Sequence, residues 1–237
     1  MQPQRKPELR NYLVFMNTKV KGYILGAVAA ATYGMNPLFT LPLYKEGMNP
    51  DSVLFFRYLF AIPILGIMLK ARGRSFSLKR KEIVPLVILG WLVAISSLTL
   101  FQSYNYMEAG IASTILFVYP ILVALIMAVA FKEKVTLQTV LCIFLALSGI
   151  GLLYKGGDGT TLSLVGVGLV MASALSYAIY IVGVNRPILK DVATLKVTFY
   201  VLLFGLSLFL ARVDFGQSLH VCLLYTSPSP RDTERSR

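Results

Sequence analysis

Residues 108–154, EAGIASTILFVYPILVALIMAVAFKEKVTLQTVLCIFLALSGIGLLY, leave the chain little freedom. Two apolar runs, 109–131 and 137–154, are parted only by a charged hinge at 132–134. At about 1.5 Å of rise per residue, each run approaches or exceeds the length a helix needs to cross the hydrocarbon core of a bilayer. The pattern predicts two antiparallel membrane helices. Within the first, Pro120 cannot donate a backbone hydrogen bond and its ring crowds the carbonyl of Leu116, so the helix is expected to kink or open near mid-bilayer. Lipid offers no partner to a freed carbonyl, so the opening must face neighbouring helices or a wet cavity. Ser113, Thr114, Tyr119 and Pro120 are therefore the best pointer to a substrate path. The other reading is a purely structural kink with Tyr119 as a packing residue.

Composition supports lipid as the solvent. Hydrophobic residues make up 56% of the chain and charged residues 14%, where a soluble domain carries about a quarter charged. The net charge of +12 could suggest nucleic acid, but the basic residues stand in short clusters between apolar runs. Their placement signals topology, and no nucleic-acid partner is expected. Cys142 and Cys222 show neither a pairing pattern nor a metal-ligand spacing, and His220 sits alone near the end. No cofactor or metal site is expected.

In chain order, residues 1–20 form a basic leader with Arg5, Lys6, Arg10 and Lys19. The apolar run 22–44 that follows is longer than a signal-peptide core and lacks a clear cleavage step, so it reads as the first spanning helix. Met16 is an alternative start. The second run, 52–69, is followed by Lys70, Arg72, Arg74, Lys79, Arg80 and Lys81, the densest basic cluster in the chain. The third run is 83–101, the fourth and fifth are those described above, the sixth is 164–184 and the seventh is about 193–210. The leader and the loops after runs two, four and six hold most of the lysine and arginine. The loops after runs one, three and five hold only Lys45 and Lys155. The positive-inside rule then predicts a multi-pass protein of the cell (plasma or inner) membrane with a cytoplasmic N-terminus.

A weak internal echo sets AATYGMN, residues 30–36, over ALSYAIY, residues 174–180, and Leu54, Phe55, Phe56 over Thr198, Phe199, Tyr200. If the sixth helix restarts the pattern of the first, the repeat has five helices, and an odd number inverts the second copy. Tyr33 and Asn36, and likewise Ser173, Tyr177 and Tyr180, fall at helical spacings on one face of their helices. Both faces are expected on a cavity. Aromatic packing between helices or an interfacial belt would account for the tyrosines equally well.

The order of four short motifs carries a family resemblance: Phe56-Arg57-Tyr58 in the second helix, Tyr119-Pro120 in the fourth, Phe131-Lys132-Glu133-Lys134 at its charged end, and Gly149-Ile150-Gly151-Leu152-Leu153 in the fifth. From about residue 21 to 210 the chain resembles the EamA-type transporters of the drug/metabolite transporter superfamily. That resemblance implies a bundle of ten helices in two inverted five-helix repeats, a central substrate cavity, and export or exchange of small metabolites or amino acids. The expected fold class is thus an all-α integral membrane protein with seven of ten helices present. Residues 21–154 would be the first repeat, and 164–212 the first two helices of an incomplete second. Residues 219–237, LHVCLLYTSPSPRDTERSR, read as a non-native adapter- or vector-like tail, with a native disordered tail as the alternative. The fragment is expected to be inactive alone.

Ionisable groups within the spans are few. Arg57 lies about a turn and a half inside the second helix, where an unpaired charge would cost about 2.5–3.5 kcal/mol at the bilayer centre. Two readings stand: it binds a substrate carboxylate or phosphate, or it snorkels to headgroups or braces helix carbonyls. Glu108 and Glu133 fall at helix ends, Lys196 near the start of the seventh helix, and no acidic residue stands mid-span to relay protons. Gly22 and Gly26, and the small-residue ladder Gly168, Ala172, Ser176, are expected at close helix contacts, within one bundle or in a homodimer. A membrane-embedded enzyme would need converging catalytic groups, and none are visible. A structural or signalling membrane protein is the other alternative. The expected partners are a small-molecule substrate and the lipid bilayer, and no enzymatic activity is expected.

Overall fold

A computed structural model of the chain describes residues 5–132 and 163–214, together with residues 140, 141, 144, 145, 148 and 149. Two units divide it, Met1–Lys45 and Glu46–Arg237. The first holds α1 (Arg5–Gly34) and α2 (Asn36–Lys45). Helix α1 runs without interruption through the basic leader into the first apolar run. It yields to α2 at Met35, just before Asn36-Pro37, where the proline ring and its missing N–H discourage a continuous ladder.

The second unit holds α3 (Pro50–Ala71), α4 (Arg80–Ser103), α5 (Ala109–Leu116), α6 (Tyr119–Phe131), α7 (Leu164–Val184), the single turn α8 (Pro187–Lys190) and α9 (Thr194–Asp214). Local chemistry sets their ends. Asn49 caps α3, its side-chain oxygen accepting from Ser52 N at 2.8 Å, with Pro50 pre-set for the first helical turn. The same helix ends in a Schellman turn: Gly73 N donates to Lys70 O and Arg74 N to Leu69 O, at 2.9 and 3.1 Å. Gly73 adopts φ +63°, a left-handed conformation that a side chain would strain. Glu82 starts α4 by reaching back to Lys79 N at 3.1 Å, and Ser163 accepts from Gly166 N ahead of α7.

Among the described residues six segments are long and apolar enough to cross a membrane: Val20–Lys45, Pro50–Ala71, Arg80–Ser103, Ala109–Phe131, Leu164–Val184 and Thr194–Arg212. The chain is an all-helical, multi-pass membrane protein over the described residues. The fifth apolar run, 137–154, lies mostly outside them, as does the tail 219–237; the residues of that run that are described are helical.

Helix α4 is the hub of the second unit, packing against α3, α5, α7 and α9. It runs antiparallel to α7, since Met107 meets Gly166 and Leu89 meets Gly183, and parallel to α9, since Gly90 meets Val201 and Ala94 meets Gly205. Leu86, Leu89, Leu189, Val197 and Val201 form a buried core around which Tyr180, Val184 and Phe204 pack. Outward faces are apolar too: Phe60, Ile64 and Ile67 project from one side of α3. In lipid that exposure carries no penalty, and the helices associate through close packing and interhelical hydrogen bonds.

Helices α4 and α9 approach closely. A Cβ on Gly90 would stand 2.7 Å from Val201 O, and one on Gly205 would stand 3.0 Å from Gly90 O. Backbone meets backbone there, which only glycine allows.

A candidate substrate path

The fourth span is broken where the proline leads one to look. Helix α5 closes with Phe117 N donating to Thr114 O and Val118 N to Ile115 O, at 3.1 and 3.0 Å, the tighter pattern of a helix end. Helix α6 restarts at Tyr119 with Pro120 in its first turn, where a missing N–H costs nothing. The break turns Tyr119 toward α7. Its ring stands edge-on to Tyr177 at 4.9 Å between centroids, and Tyr177 lies 5.7 Å from Tyr180. Three tyrosines named from the sequence thus form one aromatic cluster between two spans, each with a phenol able to donate or accept a hydrogen bond.

A second cluster gathers around Arg57. Its guanidinium carbon stands 5.7 Å from the centroid of the Phe101 ring, a cation–π distance. Phe101 in turn packs on Tyr104, 5.5 Å between centroids. Tyr104 lies just beyond the third span, and Ser113 hydrogen-bonds its phenol. Burial pushes that phenol above its ordinary value of 10.0, while the Ser113 hydrogen bond and the Arg57 charge pull it part of the way back. Arg57 itself is exposed, so its cation is presented rather than sealed.

Tyr58, next to Arg57 in the chain, shares a 3.3 Å hydrogen bond with Ser97 through its hydroxyl and packs edge-on to Phe209. A cation beside aromatic rings in one cluster and phenol hydroxyls in the other are the kinds of group that hold an organic solute with an acidic group.

The remaining candidates are placed differently. Ser173 is fully buried and bonded to Ser96 between α4 and α7. Thr114 is exposed and its hydroxyl donates to Gly110 O at 2.9 Å; Pro120 is exposed as well. Tyr33 and Asn36 belong to the first unit, where Asn36 O accepts from the Thr40 hydroxyl at 2.9 Å. Among the packing candidates, Gly22, Gly26 and Gly168 have open space where a Cβ would stand, and Ala172 is exposed while Ser176 is half-buried. The buried small face of α7 is instead Gly166, Ala174 and Ala178. Tyr58 entered the sequence reading only as part of the Phe56-Arg57-Tyr58 motif, and Phe101, Tyr104, Gly90 and Gly205 were not singled out. Tyr58 adjoins Arg57 in the chain, but nothing along the chain signals that Tyr104 meets it.

A family model described as the EamA-like transporter family matches residues 20–155. The Uncharacterized transporter YvbV of Bacillus subtilis is 27% identical over 168 residues, which cover 68% of this chain and 52% of that protein. An uncharacterized transporter of Haemophilus influenzae is 23% identical over 136 residues, covering 56% of this chain and 44% of its own length. The chain spans about half the length of the curated relatives it matches. No solved structure matches it.

Proposed function

The chain belongs to the EamA-like transporter family, and from that premise we propose that the protein exports or exchanges small metabolites or amino acids through a cavity between its helices. The observation that carries this reading is the broken fourth span. On one side of the break Ser113 bonds Tyr104 beside Arg57, and on the other Tyr119 meets Tyr177. Irregular backbone at membrane depth is tolerated where it lines a cavity, and a broken span is a recurrent way for transporters to expose binding groups.

On this reading Arg57 holds an acidic group of the solute by charge-assisted hydrogen bonds, and Tyr119, Tyr177 and Tyr180 contact its body. The distribution of lysine and arginine supports a cytoplasmic N-terminus in the cell membrane. The loop 72–79 then faces the cytoplasm, and the Arg57 cluster lies toward the outer side.

The test is efflux of a panel of labelled amino acids and small organic acids from cells making the whole protein. Arg57→Ala and Tyr177→Ala should each lower flux of the accepted solute by about tenfold, the worth of one charge-assisted hydrogen bond or a well-packed aromatic contact. Unchanged flux in both variants, with normal membrane insertion, would remove these residues from the path.

A further inference from the structure

The end of the second unit that bears the basic loop 72–79 holds a cavity of about 230 Å³ between that loop and the start of α9. Arg74, Lys79 and Lys196 supply cations to its lining, and Glu82 and Asp191 supply carboxylates. Glu82 and Asp191 offset part of this charge, leaving three cations against two carboxylates in the lining. Glu82 is buried, with one oxygen turned back to cap Lys79 N, and Asp191 is exposed at the end of α8. Ser75 and Ser77 add a hydroxyl wall.

The wall is held in place from three directions. The Schellman turn at Gly73 aims the chain from α3 into the loop. Lys196 donates its ammonium to Ser77 O, and the Tyr200 hydroxyl donates to Phe76 O. An ammonium has three donors, so Lys196 can brace the loop and still face an anion. The site is therefore built before any ligand arrives, which lowers the entropic cost of binding.

We propose that this cavity binds the phosphodiester headgroup of an anionic membrane phospholipid. Its volume is below that of sites for drug-sized solutes and suits a headgroup. Its rim meets the ends of two membrane spans, since Arg80 begins one and Thr194 the other. Phe76, Ile83 and Val84 are exposed apolar side chains that adjoin the lining residues Ser75, Ser77 and Glu82 along the chain, and they offer an acyl chain apolar surface near the headgroup site. A free phosphate would use the cations and leave that surface unused. Lys70, Arg72, Arg80, Lys81 and Lys190 extend the positive field around the cavity and would draw anionic lipid toward it.

The full chain, purified in a neutral detergent, would be offered phosphatidylglycerol, phosphatidylcholine or inorganic phosphate, and the bound species read by native mass spectrometry. Phosphatidylglycerol should be retained over phosphatidylcholine. That retention should fall about 30-fold in the Arg74→Gln/Lys79→Gln double variant, which leaves the Lys196 brace intact. It should fall far less in Arg72→Gln/Lys81→Gln, which removes as much charge from the same cluster outside the cavity. Equal loss in the two double variants would reduce the effect to general surface charge and overturn the site. Equal retention of the two lipids would overturn it as well. Inorganic phosphate that binds as tightly as the lipid and displaces it would overturn the lipid assignment in favour of a soluble anion. If thermal melting shows the double variant unfolded, Arg74→Gln alone carries the test with about a fivefold loss, and its full retention of lipid would sink the proposal.

Discussion

Ser96 on α4 and Ser173 on α7 each donate a side-chain hydroxyl to the other's main-chain carbonyl, at 3.0 and 2.7 Å, with the two oxygens 3.0 Å apart. The exchange is buried between two spans and links the third apolar run to the sixth. Water is excluded there, so either hydroxyl left alone has few other partners.

Ser96→Ala and Ser173→Ala should each lower stability by about 0.6–1.7 kcal/mol, the range of interhelical hydrogen bonds in membranes. Because both hydroxyls belong to one exchange, the double variant should cost less than the sum. Unfolding in mixed micelles closes the cycle. Strict additivity would show that the two serines act independently. A change in solute affinity on Ser173→Ala, with no loss of stability, would return Ser173 to the substrate path.

Gly90→Ala forces a methyl against Val201 O at 2.7 Å, Phe204 Cβ at 2.9 Å and Gly205 N at 3.0 Å. Two of these are backbone atoms that cannot turn aside, so α4 and α9 must separate, at about 1–3 kcal/mol. Gly168→Ala meets nothing within 4 Å and should be neutral or gain up to about 1 kcal/mol from helix propensity. Thermal melting of the two variants side by side checks the contrast. Equal losses would mean that the close approach of α4 and α9 is not the tight contact described.

At the other end of α9, Arg212 Nε donates to Asp51 Oδ1 at 2.6 Å and Nη2 to Oδ2 at 3.4 Å. The Asp51 side chain is 8% exposed and that of Arg212 35%. The pair ties the start of α3 to the end of α9. Asp51→Asn should cost about 1.5–3 kcal/mol, the worth of hydrogen bonds to a charged group, reduced by the partial exposure of Arg212. The exchanged pair Asp51→Arg/Arg212→Asp should recover part of the loss. No recovery would indicate that Asp51 matters for its place near the start of α3 and not for its partner.

Tyr104 carries a pH dependence whose sign is fixed by burial. Its folded phenol is raised above the unfolded value of 10.0, so the contribution is fully present below pH 10 and is lost as the pH rises through the folded value. Melting temperature should therefore fall more steeply above pH 10 in the natural chain than in Tyr104→Phe. Parallel curves for the two would show that the phenol does not titrate differently on folding. Below pH 10 the variant should be slightly less stable, having lost the Ser113 hydrogen bond.

What the sequence determined by itself lies along the chain. Apolar length predicted the spans, and six of the seven predicted runs coincide with spans among the described residues, the seventh, 137–154, lying mostly outside them. Pro120 predicted the break between α5 and α6, because a missing N–H and a bulky ring act on the residues next to them. What only the tertiary structure decided is which faces meet. These helices are apolar all round, so no amphipathic stripe distinguishes the side toward lipid from the side toward a neighbour. Gly168 and Gly90 read alike in the sequence, yet one faces open space and the other touches α9. Ser173 shares a spacing with Tyr177, yet it bonds Ser96 while Tyr177 meets Tyr119. Tyr104 joins Arg57 only because α3 and α4 pack side by side in the folded bundle, bringing together residues that are far apart along the chain.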